Sequence, residues 1–553
     1  MKQLERLTAL LWLLTALWLV LSSRYLPMND APSHIATGVI FGKLLAGKLL
    51  AADPFFAAHY QLDPVLVPYW ATALWLIGMT NVFSPLFAFQ LLILLYVVLL
   101  PLSCRFLLRA FVSQPGSSQP GSSQPALLDH PLAPLCVLAV FHWGYWMGES
   151  NYLIGQPVAL FALGALWRAE RLRSGWTVLC AVLAALSYLC HIYALTLLLI
   201  AATAWALVAL LAHRLPALSP RKLRPSHVVL LGWIYVLFGI AAYFVLFQHG
   251  SDANRGTLGF DLSLRRLAHM LIDPFDAPQP APRYTLLLMY LGLLSAFVWA
   301  HHRTLARWLV RPLKRSVLLL RLFVPALLVP GLTLLAAAYL GPVSILAPDG
   351  SQKEGEIAIR FVLGGFLLLI LSLRWPSQAR FTRFKGPRGL LWITLSLFAL
   401  VQLQFASSTH ARVAGIMSAI NNQLFPHMPP HQRVLPLLNL RDGQWSDYLV
   451  HRAVNYVVLH DSYSPHVFAV KGQHALRHIP WGDQREVRNF HISPQEWSFY
   501  DYVLYQGDTP ELPPSLVPHL TYVAASPPFV LYRIRKPATT PPPTEALPPA
   551  PTP

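Results

Sequence analysis

Long apolar stretches recur through the first 406 residues, separated by short polar segments. The first runs from Leu7 to Leu21. The others lie at about residues 85–102, 131–147, 153–168, 176–190, 192–212, 227–247, 284–300, 317–340, 360–374 and 389–405. A helix needs about 20 apolar residues to cross the hydrocarbon core of a bilayer. The pattern predicts a polytopic α-helical membrane protein with about eleven transmembrane helices in a domain covering residues 1–406.

Lysine and arginine are concentrated in alternate segments between these stretches, at residues 105–109, 168–173, 214–224, 303–315 and 380–388. Because cytoplasmic loops carry an excess of these residues, the alternation predicts a cytoplasmic N-terminus and an extracytoplasmic C-terminus. The alternation also requires two crossings within residues 176–212, a region only just long enough for two helices. The first span lacks an A-x-A cleavage site and is predicted to remain as an anchor in the inner or plasma membrane.

A long external loop, residues 23–83, separates the first two predicted spans. Within it, an apolar run begins after Asp63 and ends at Gly78. If this run crossed the bilayer, the arginines at 105–109 would lie outside, against the charge rule. The run is therefore predicted to be interfacial or re-entrant.

The chain changes character after about residue 406. An apparent helix at about 411–424 is followed by four apolar runs of strand length: Arg433 to Leu438, Asn455 to Leu459, Tyr500 to Tyr505 and Phe529 to Ile534. Their alternation with polar segments predicts a small extracytoplasmic α/β domain at residues 407–536. Residues 537–553 are rich in Pro and Thr, which predicts a disordered tail.

Composition supports a membrane protein and argues against nucleic acid as a partner. The chain is 55% hydrophobic and 12% charged, and its mean hydropathy is +0.47. A net charge of +18 would suggest nucleic-acid binding in a soluble protein. Here most arginines lie in short loops between apolar spans, where they are topology signals.

The segment from Arg24 to His34 carries the first candidate site. Asp30 can cap a helix with Pro32 in its first turn, which places Asp30 and His34 on one helix face. Apolar residues at helical spacing follow, and they predict a helix in the membrane interface that holds this pair at the bilayer surface. Asp30 is either only a cap or a general base or substrate-orienting carboxylate, with His34 as its hydrogen-bond partner.

Glu149 is a second acid, in the short external loop from Phe141 to Tyr152, on the same predicted side as Asp30. It is either a solvated acid or cap for the next helix, or the second carboxylate of a shared site.

Three arginines are candidates for binding a lipid phosphate. Arg265 and Arg266 lie in an apparent amphipathic external helix from Asp261 to Ile272, and Arg360 lies at the external start of a span. Lipid phosphates attract such cations, although interface anchoring by snorkelling side chains gives the same pattern. His191, between two short spans, either reaches the same external cavity or is structural.

Histidines are frequent in the C-terminal domain, but their spacing matches no metal-binding template. They are predicted to lie on the surface, and no metal site is predicted. They include His427, His431, His451, His460, His466, His474, His478 and His491.

Taken together, the chain resembles the GT-C superfamily of integral-membrane glycosyltransferases, which use polyprenyl-phosphate-linked sugars. The resemblance is carried by the long first external loop with Asp30, the Pro-aromatic run from Asp63 to Gly78, Glu149 in the second loop, and Arg360-Phe361 at a late span. Together with the external C-terminal domain, these features extend the resemblance in architecture over nearly the whole chain.

The resemblance implies a sugar donor linked to polyprenyl phosphate and a glycan, lipid or protein acceptor on the outer face. It implies that Asp30 deprotonates the acceptor and that the arginines hold the lipid phosphate. The first loop has Asn29-Asp30 where metal-dependent members of the superfamily have D-x-D. The cofactor is therefore unknown: a divalent metal is possible, but no residues are assigned to it. Some members have Lys-Pro-Pro where this chain has Leu62-Asp63-Pro64. Asp63 is therefore a substrate-binding candidate, and the subfamily is not assigned.

Two alternatives belong to other classes: a transporter or flippase of a lipid-linked precursor, and a non-catalytic membrane scaffold. Transporters usually place ionisable residues inside their spans and contain internal repeats. The predicted spans are nearly free of charge and no repeat is visible, which favours an enzyme with an interfacial site.

Overall fold

The computed structural model describes the following residues: 2–47, 53–62, 68–112, 139–211, 223–247, 257–263, 266, 295, 298, 325–342, 344–346, 352–354, 359–372, 385–438, 451–467, 476–478, 494–507 and 512–536. The predicted span at 284–300, apart from two residues, and the predicted tail after 536 lie outside this part of the chain.

The N-terminal part is a helical body with a few short strands. Its helices are α1 (Lys2–Ser22), α2 (Ala31–Gly47), α3 (Pro54–His59), α4 (Trp70–Met79), α5 (Pro85–Val112), α6 (Trp143–Met147), α7 (Ser150–Arg168), α8 (Gly175–Cys190), α9 (Ile192–Leu211), α10 (Pro225–Phe247), α11 (Pro325–Leu340), α12 (Ile359–Ser372) and α13 (Lys385–Gln423). Its strands are β1 (Tyr60–Leu62), β2 (Thr257–Gly259), β3 (Ser344–Leu346) and β4 (Gln352–Glu354), of which β2, β3 and β4 form one sheet.

Three helices among the described residues are long and apolar enough to cross a membrane. They cover Pro85–Phe111, Ile192–Leu210 and Pro225–Tyr243, with mean hydropathies of 2.5, 2.2 and 1.7. Five shorter apolar helices, among them Gly175–Cys190 and Arg360–Ser372, accompany them. These helices support a membrane protein, while the number of eleven spans stays a prediction.

Helix α4 occupies the run that was predicted to be interfacial or re-entrant. It has 10 residues and is therefore roughly 15 Å long, about half the thickness of the hydrocarbon core. It packs against α2, α5, α7 and α8. A helix of this length does not cross a bilayer by itself.

Helix α2 begins at Ala31, as predicted, but protein covers it where membrane interface was expected. Gly38 lies so close to α4 that an added Cβ atom would be 2.6 Å from the Leu76 side chain. On its other side, Ile40 and Leu44 share a buried apolar cluster with Leu435 of the C-terminal domain. The apolar periodicity of α2 therefore reflects contacts with α4 and with this domain.

The C-terminal domain contains a four-stranded mixed sheet. Its strands are β5 (Val434–Leu438), β7 (Tyr502–Gln506), β8 (Leu520–Ser526) and β9 (Phe529–Ile534), in the order β5-β7-β9-β8. Strand β5 runs parallel to β7, and the other two pairings are antiparallel. Two helices, α14 (Asn455–His460) and α15 (Pro494–Phe499), belong to the same domain.

One prediction about this region was wrong, and two other predicted elements are parts of a single helix. The run from Asn455 to Leu459 is helix α14, because a short buried apolar run does not distinguish a strand from a helix by its periodicity. The last predicted span and the predicted helix at 411–424 are one continuous helix, α13, of 39 residues. At roughly 58 Å, α13 exceeds the thickness of the hydrocarbon core, so it continues directly toward the C-terminal domain.

A second connection between the domain and the first loop is the pairing of β1 with β6 (Leu476–His478). His478 lies opposite Tyr60 in this pair and is 1% exposed. Burial lowers the pKa of its imidazole to about 4, although a contact with the Val467 carbonyl acts in the opposite direction. The ring is therefore neutral in the folded protein at neutral pH.

This burial predicts that the contact weakens in acid. Between pH 6.5 and pH 4 the unfolded chain binds a proton that folded His478 does not, so the free energy of unfolding falls as pH falls. We expect a loss of roughly 2 kcal/mol between pH 7 and pH 5 from this residue. Thermal unfolding at the two pH values measures it. His478→Gln should reduce the pH dependence by about this amount and leave the part that comes from other buried histidines such as His59, whose pKa burial also lowers. His427→Gln, at an exposed histidine of the same domain, should not reduce it.

Candidate functional site

The loop that carries Asp30 and the loop that carries Glu149 meet at one end of the helical body. The amide of Asn29 donates to the carbonyl of Trp146 at 2.9 Å, and the amide of Asp30 donates to the carbonyl of Met147 at 2.9 Å. These two backbone hydrogen bonds fix the relative positions of the two loops. The two acids predicted as candidates are thus brought together by the main chain.

Gly148 makes this approach possible. Its φ of +85° lies in the left-handed region, and a Cβ atom at this position would be 2.8 Å from the Asp30 nitrogen and 3.0 Å from the Ala31 nitrogen. Both contacts are with main-chain atoms, which cannot turn aside as a flexible side chain can. Only glycine satisfies the backbone conformation and the close approach together.

We expect Gly148→Ala to separate the two loops. The left-handed conformation alone costs about 1–3 kcal/mol for a residue with a Cβ atom, and the steric contact adds to this. The expected result is a lower melting temperature, with loss of any activity that needs both acids. Gly415→Ala, on α13 where an added Cβ meets nothing within 4 Å, is the matched control and should raise stability slightly, because alanine favours a helix more than glycine does. A Gly148→Ala protein with unchanged melting temperature would contradict this account.

The Asp30 carboxylate is 22% exposed and is contacted through Oδ1. Asn29 donates from Nδ2 to this oxygen at 3.3 Å, and Nε2 of His451 lies 3.4 Å from it. His34, the predicted partner, donates its backbone amide to the Asp30 carbonyl at 3.0 Å, as expected one helical turn later. His451 is therefore a partner of the Asp30 carboxylate that could not be identified from the sequence.

Glu149 is neither a solvated acid nor a side-chain cap. It precedes α7, but its side chain makes no capping hydrogen bond, and it is 8% exposed. Its Oε1 accepts hydrogen bonds from Nε of Arg360, at 2.7 Å, and from Nη2 of the same side chain. Its Oε2 is buried and has no hydrogen-bond partner among the described residues. A buried carboxylate oxygen without a donor is costly, so this atom is suited to accept a hydrogen bond from a ligand.

Aromatic side chains surround Arg360. The guanidinium carbon lies 4.4 Å from the ring centroid of Tyr193 and 5.9 Å from that of Trp143, at cation–π distance. His191 stacks on Tyr193 at 5.0 Å, and its Nδ1 accepts the Tyr193 amide at 3.1 Å. The Tyr152 hydroxyl donates to the Arg360 carbonyl. Arg360 and His191 therefore belong to one cluster with Glu149.

Arg266, another predicted candidate, binds elsewhere in the structure. Arg266 is 7% exposed and donates to the carbonyls of Asp261, Ala338 and Gly341, at 2.5, 2.8 and 3.0 Å. Its guanidinium thus covers the C-terminal end of α11, where a cation is favoured by the helix dipole. Arg265 and Asp63 lie outside the described residues.

The histidines of the C-terminal domain were predicted to lie on the surface, and for three of them the prediction was wrong. His451, His466 and His478 are 7%, 3% and 1% exposed. Arg452 is also buried, and burial lowers the pKa of its guanidinium to about 9, so it remains protonated at neutral pH. The local sequence does not predict that these side chains are buried, because they are covered by contacts with the first loop, which is distant in the sequence.

One group of side chains has the composition of a metal site. Ligand atoms of Asp53, His431 and Asp461 lie within 4.8 Å of one another. The ammonium of Lys43 lies 2.5 Å from Asp461 Oδ1 and 3.8 Å from Asp53 Oδ2. This ammonium lies against both carboxylates and offsets one of their two negative charges, so the group is better described as an ion-pair network that connects α2 and α3 to the C-terminal domain.

No protein-family model and no curated protein sequence matches this chain. Among solved structures, it is similar to the archaeal oligosaccharyltransferase AglB from Archaeoglobus fulgidus in complex with an inhibitory peptide and a dolichol-phosphate. The TM-score is 0.43 and the identity 11%, over 91% of this chain and 69% of that one. A second structure, the Archaeoglobus fulgidus oligosaccharyltransferase in complex with Zn and sulfate, has a TM-score of 0.42 and 11% identity, over 96% and 73%.

Both of these structural neighbours are archaeal oligosaccharyltransferases.

Proposed function

We propose that the protein is a membrane glycosyltransferase that transfers a sugar from a polyprenyl-phosphate donor to an acceptor on the outer face of the membrane. The observation that carries the proposal is the pair of backbone hydrogen bonds between the Asp30 loop and the loop that precedes Glu149. They bring two acids and the cation of Arg360 to one end of an apolar helical body. The proposed partners are the bilayer, the lipid-linked donor, and a glycan, lipid or protein acceptor.

In the proposed reaction, Asp30 is the general base. Its carboxylate takes the proton of an acceptor hydroxyl as that oxygen attacks the anomeric carbon of the sugar. The bond between this carbon and the phosphate oxygen breaks, and the lipid phosphate leaves with the electron pair. Asp30 suits this role better than Glu149, because it is 22% exposed while Glu149 is 8% exposed and bound to Arg360.

Arg360 supplies the positive charge that the leaving phosphate requires, and Glu149 holds this cation in place. A cation held in place before the reaction stabilises developing negative charge without reorganisation. Glu149 and the face of Tyr193 hold the Arg360 guanidinium in one orientation. The partnerless Oε2 of Glu149 can accept a hydrogen bond from a sugar hydroxyl. Arg265 and Asp63 remain candidates by position in the sequence, and Arg266 is assigned to the end of α11.

The purified protein in lipid nanodiscs, supplied with a radiolabelled polyprenyl-phosphate sugar, tests the proposal. Transfer of label to a glycan, lipid or peptide acceptor is the expected result, and the acceptor that becomes labelled identifies its class. Addition and chelation of divalent cations in the same assay determine whether a metal is required. Absence of transfer, combined with movement of the intact donor across proteoliposomes, would favour a flippase. Absence of both activities would favour a scaffold.

A further inference from the structure

The C-terminal domain reaches the turn that carries Asp30 with two consecutive residues, His451 and Arg452. Arg452 donates from Nη2 to the carbonyls of Leu26 at 2.8 Å and Met28 at 3.0 Å. This buried guanidinium holds the backbone of the turn just before Asp30. The domain therefore fixes the main chain from which the Asp30 side chain projects.

His451 contacts the Asp30 side chain itself. Its Nε2 lies 3.4 Å from Oδ1 of Asp30, and its side chain is 9% exposed. The ring packs edge-on against His466, with centroids 5.6 Å apart and planes at 75°. His466 is connected to the same helix as Asp30, because its carbonyl accepts the Ser33 hydroxyl at 2.8 Å. The His451 ring is thus in contact with both Asp30 and His466.

We infer that His451 is a positioning residue for Asp30, so that the C-terminal domain completes the reaction site. In this arrangement Nε2 faces Oδ1 and sets the orientation of the carboxylate plane toward the acceptor. Asn29 Nδ2 contacts the same oxygen and supports the same orientation. Misplacing a reacting group by about 1 Å lowers the rate on the order of a hundredfold. We therefore expect loss of the contact between His451 and Asp30 to lower the rate by up to this amount. The inference rests on the proposed function.

Kinetics of His451 variants test the inference. We expect His451→Ala to lower kcat about 10- to 100-fold and to leave the KM for the donor within about twofold, because Asp30 acts on the acceptor. His451→Gln, whose amide nitrogen can occupy the position of Nε2, should recover part of the loss. Asp461→Asn is the control, since it removes another contact between α2 and the C-terminal domain, the 2.5 Å ion pair with Lys43, without touching Asp30.

Wild-type kcat in His451→Ala, under conditions where Asp30→Asn is inactive, would overturn the inference and leave the proposed function intact. Equal losses in His451→Ala and Asp461→Asn, with no recovery in His451→Gln, would also overturn it, because they would indicate domain docking alone. If the wild-type protein transfers no sugar, the proposed function fails, and the inference is then decided by the chemical measurement described next.

Carbodiimide labelling gives a readout that needs no activity. Dicyclohexylcarbodiimide reacts with protonated carboxyl groups, and mass spectrometry locates the adduct on the Asp30 peptide. An imidazole N–H that faces a carboxylate oxygen favours the ionised carboxylate. His451→Ala should therefore raise the pH of half-maximal labelling, and His451→Gln should raise it less. An unchanged midpoint would contradict a contact between the two side chains. The titratable or charged groups on the described elements that meet here include His34, Glu149, Arg452 and His466, and they stay in place in each variant.

Discussion

Replacing Asp30 with asparagine is expected to lower the rate of sugar transfer by about 10²- to 10⁴-fold, the range that a general base contributes. Asparagine keeps the size of the side chain and the oxygen that faces Asn29 and His451, but it cannot accept the proton of the acceptor. Because Asp30 is 22% exposed and lies in a turn, the folded protein should be retained. Initial transfer rates, measured at equal amounts of folded protein, give the effect.

Asp53→Asn is the matched control for this substitution. Asp53 lies in the same external loop and caps α3, its Oδ1 accepting the Phe55 amide at 3.1 Å. Asparagine keeps this accepting oxygen and is as good a helix cap as aspartate, so we expect little loss of stability and no effect on transfer. An Asp30→Asn protein that transfers sugar at the wild-type rate would remove Asp30 from the mechanism.

The second large effect is expected for Arg360→Ala. This change leaves the Glu149 carboxylate, which is 8% exposed, without its cation. Removing one partner of a buried ion pair costs about 3–5 kcal/mol, because the remaining charge stays desolvated. A lower melting temperature and a loss of transfer should therefore appear together in this variant.

The double variant Glu149→Gln with Arg360→Gln separates stability from function. It removes both charges, so most of the stability lost in Arg360→Ala should return. Transfer should remain absent, because the leaving phosphate no longer meets a cation. Thermal unfolding and the transfer assay on the same preparations measure the two effects. Recovery of transfer along with stability would show that Arg360 is structural only.

Several features of the site could be predicted because they depend on local sequence. Asp30 and Glu149 stand out as acids next to apolar spans, and α2 begins at Ala31 as its Pro32 suggested. The charge pattern predicted that the apolar run ending at Gly78 does not cross the bilayer, and α4 within it has 10 residues. These properties follow from charge, capping and length within a few residues.

The partners of these residues could not be predicted, because they come from distant parts of the chain. Glu149 and Arg360 were separate candidates, and their ion pair joins residues 211 positions apart. His451 looked like one of many surface histidines until the packing of the C-terminal domain brought it to Asp30. In the same way, the apolar face of α2 indicated a membrane interface, since a bilayer and a protein partner favour the same side chains.

The central claim is that the Asp30 loop and the Glu149 loop form one binding site for a lipid-linked sugar. Photolabelling tests it most directly, with a polyprenyl-phosphate sugar that carries a photoreactive group on the sugar, followed by peptide mapping of the purified protein. We expect adducts in both 26–34 and 143–152, suppressed by excess unlabelled donor. Adducts confined to other segments, or present in only one of these two loops, would contradict the account.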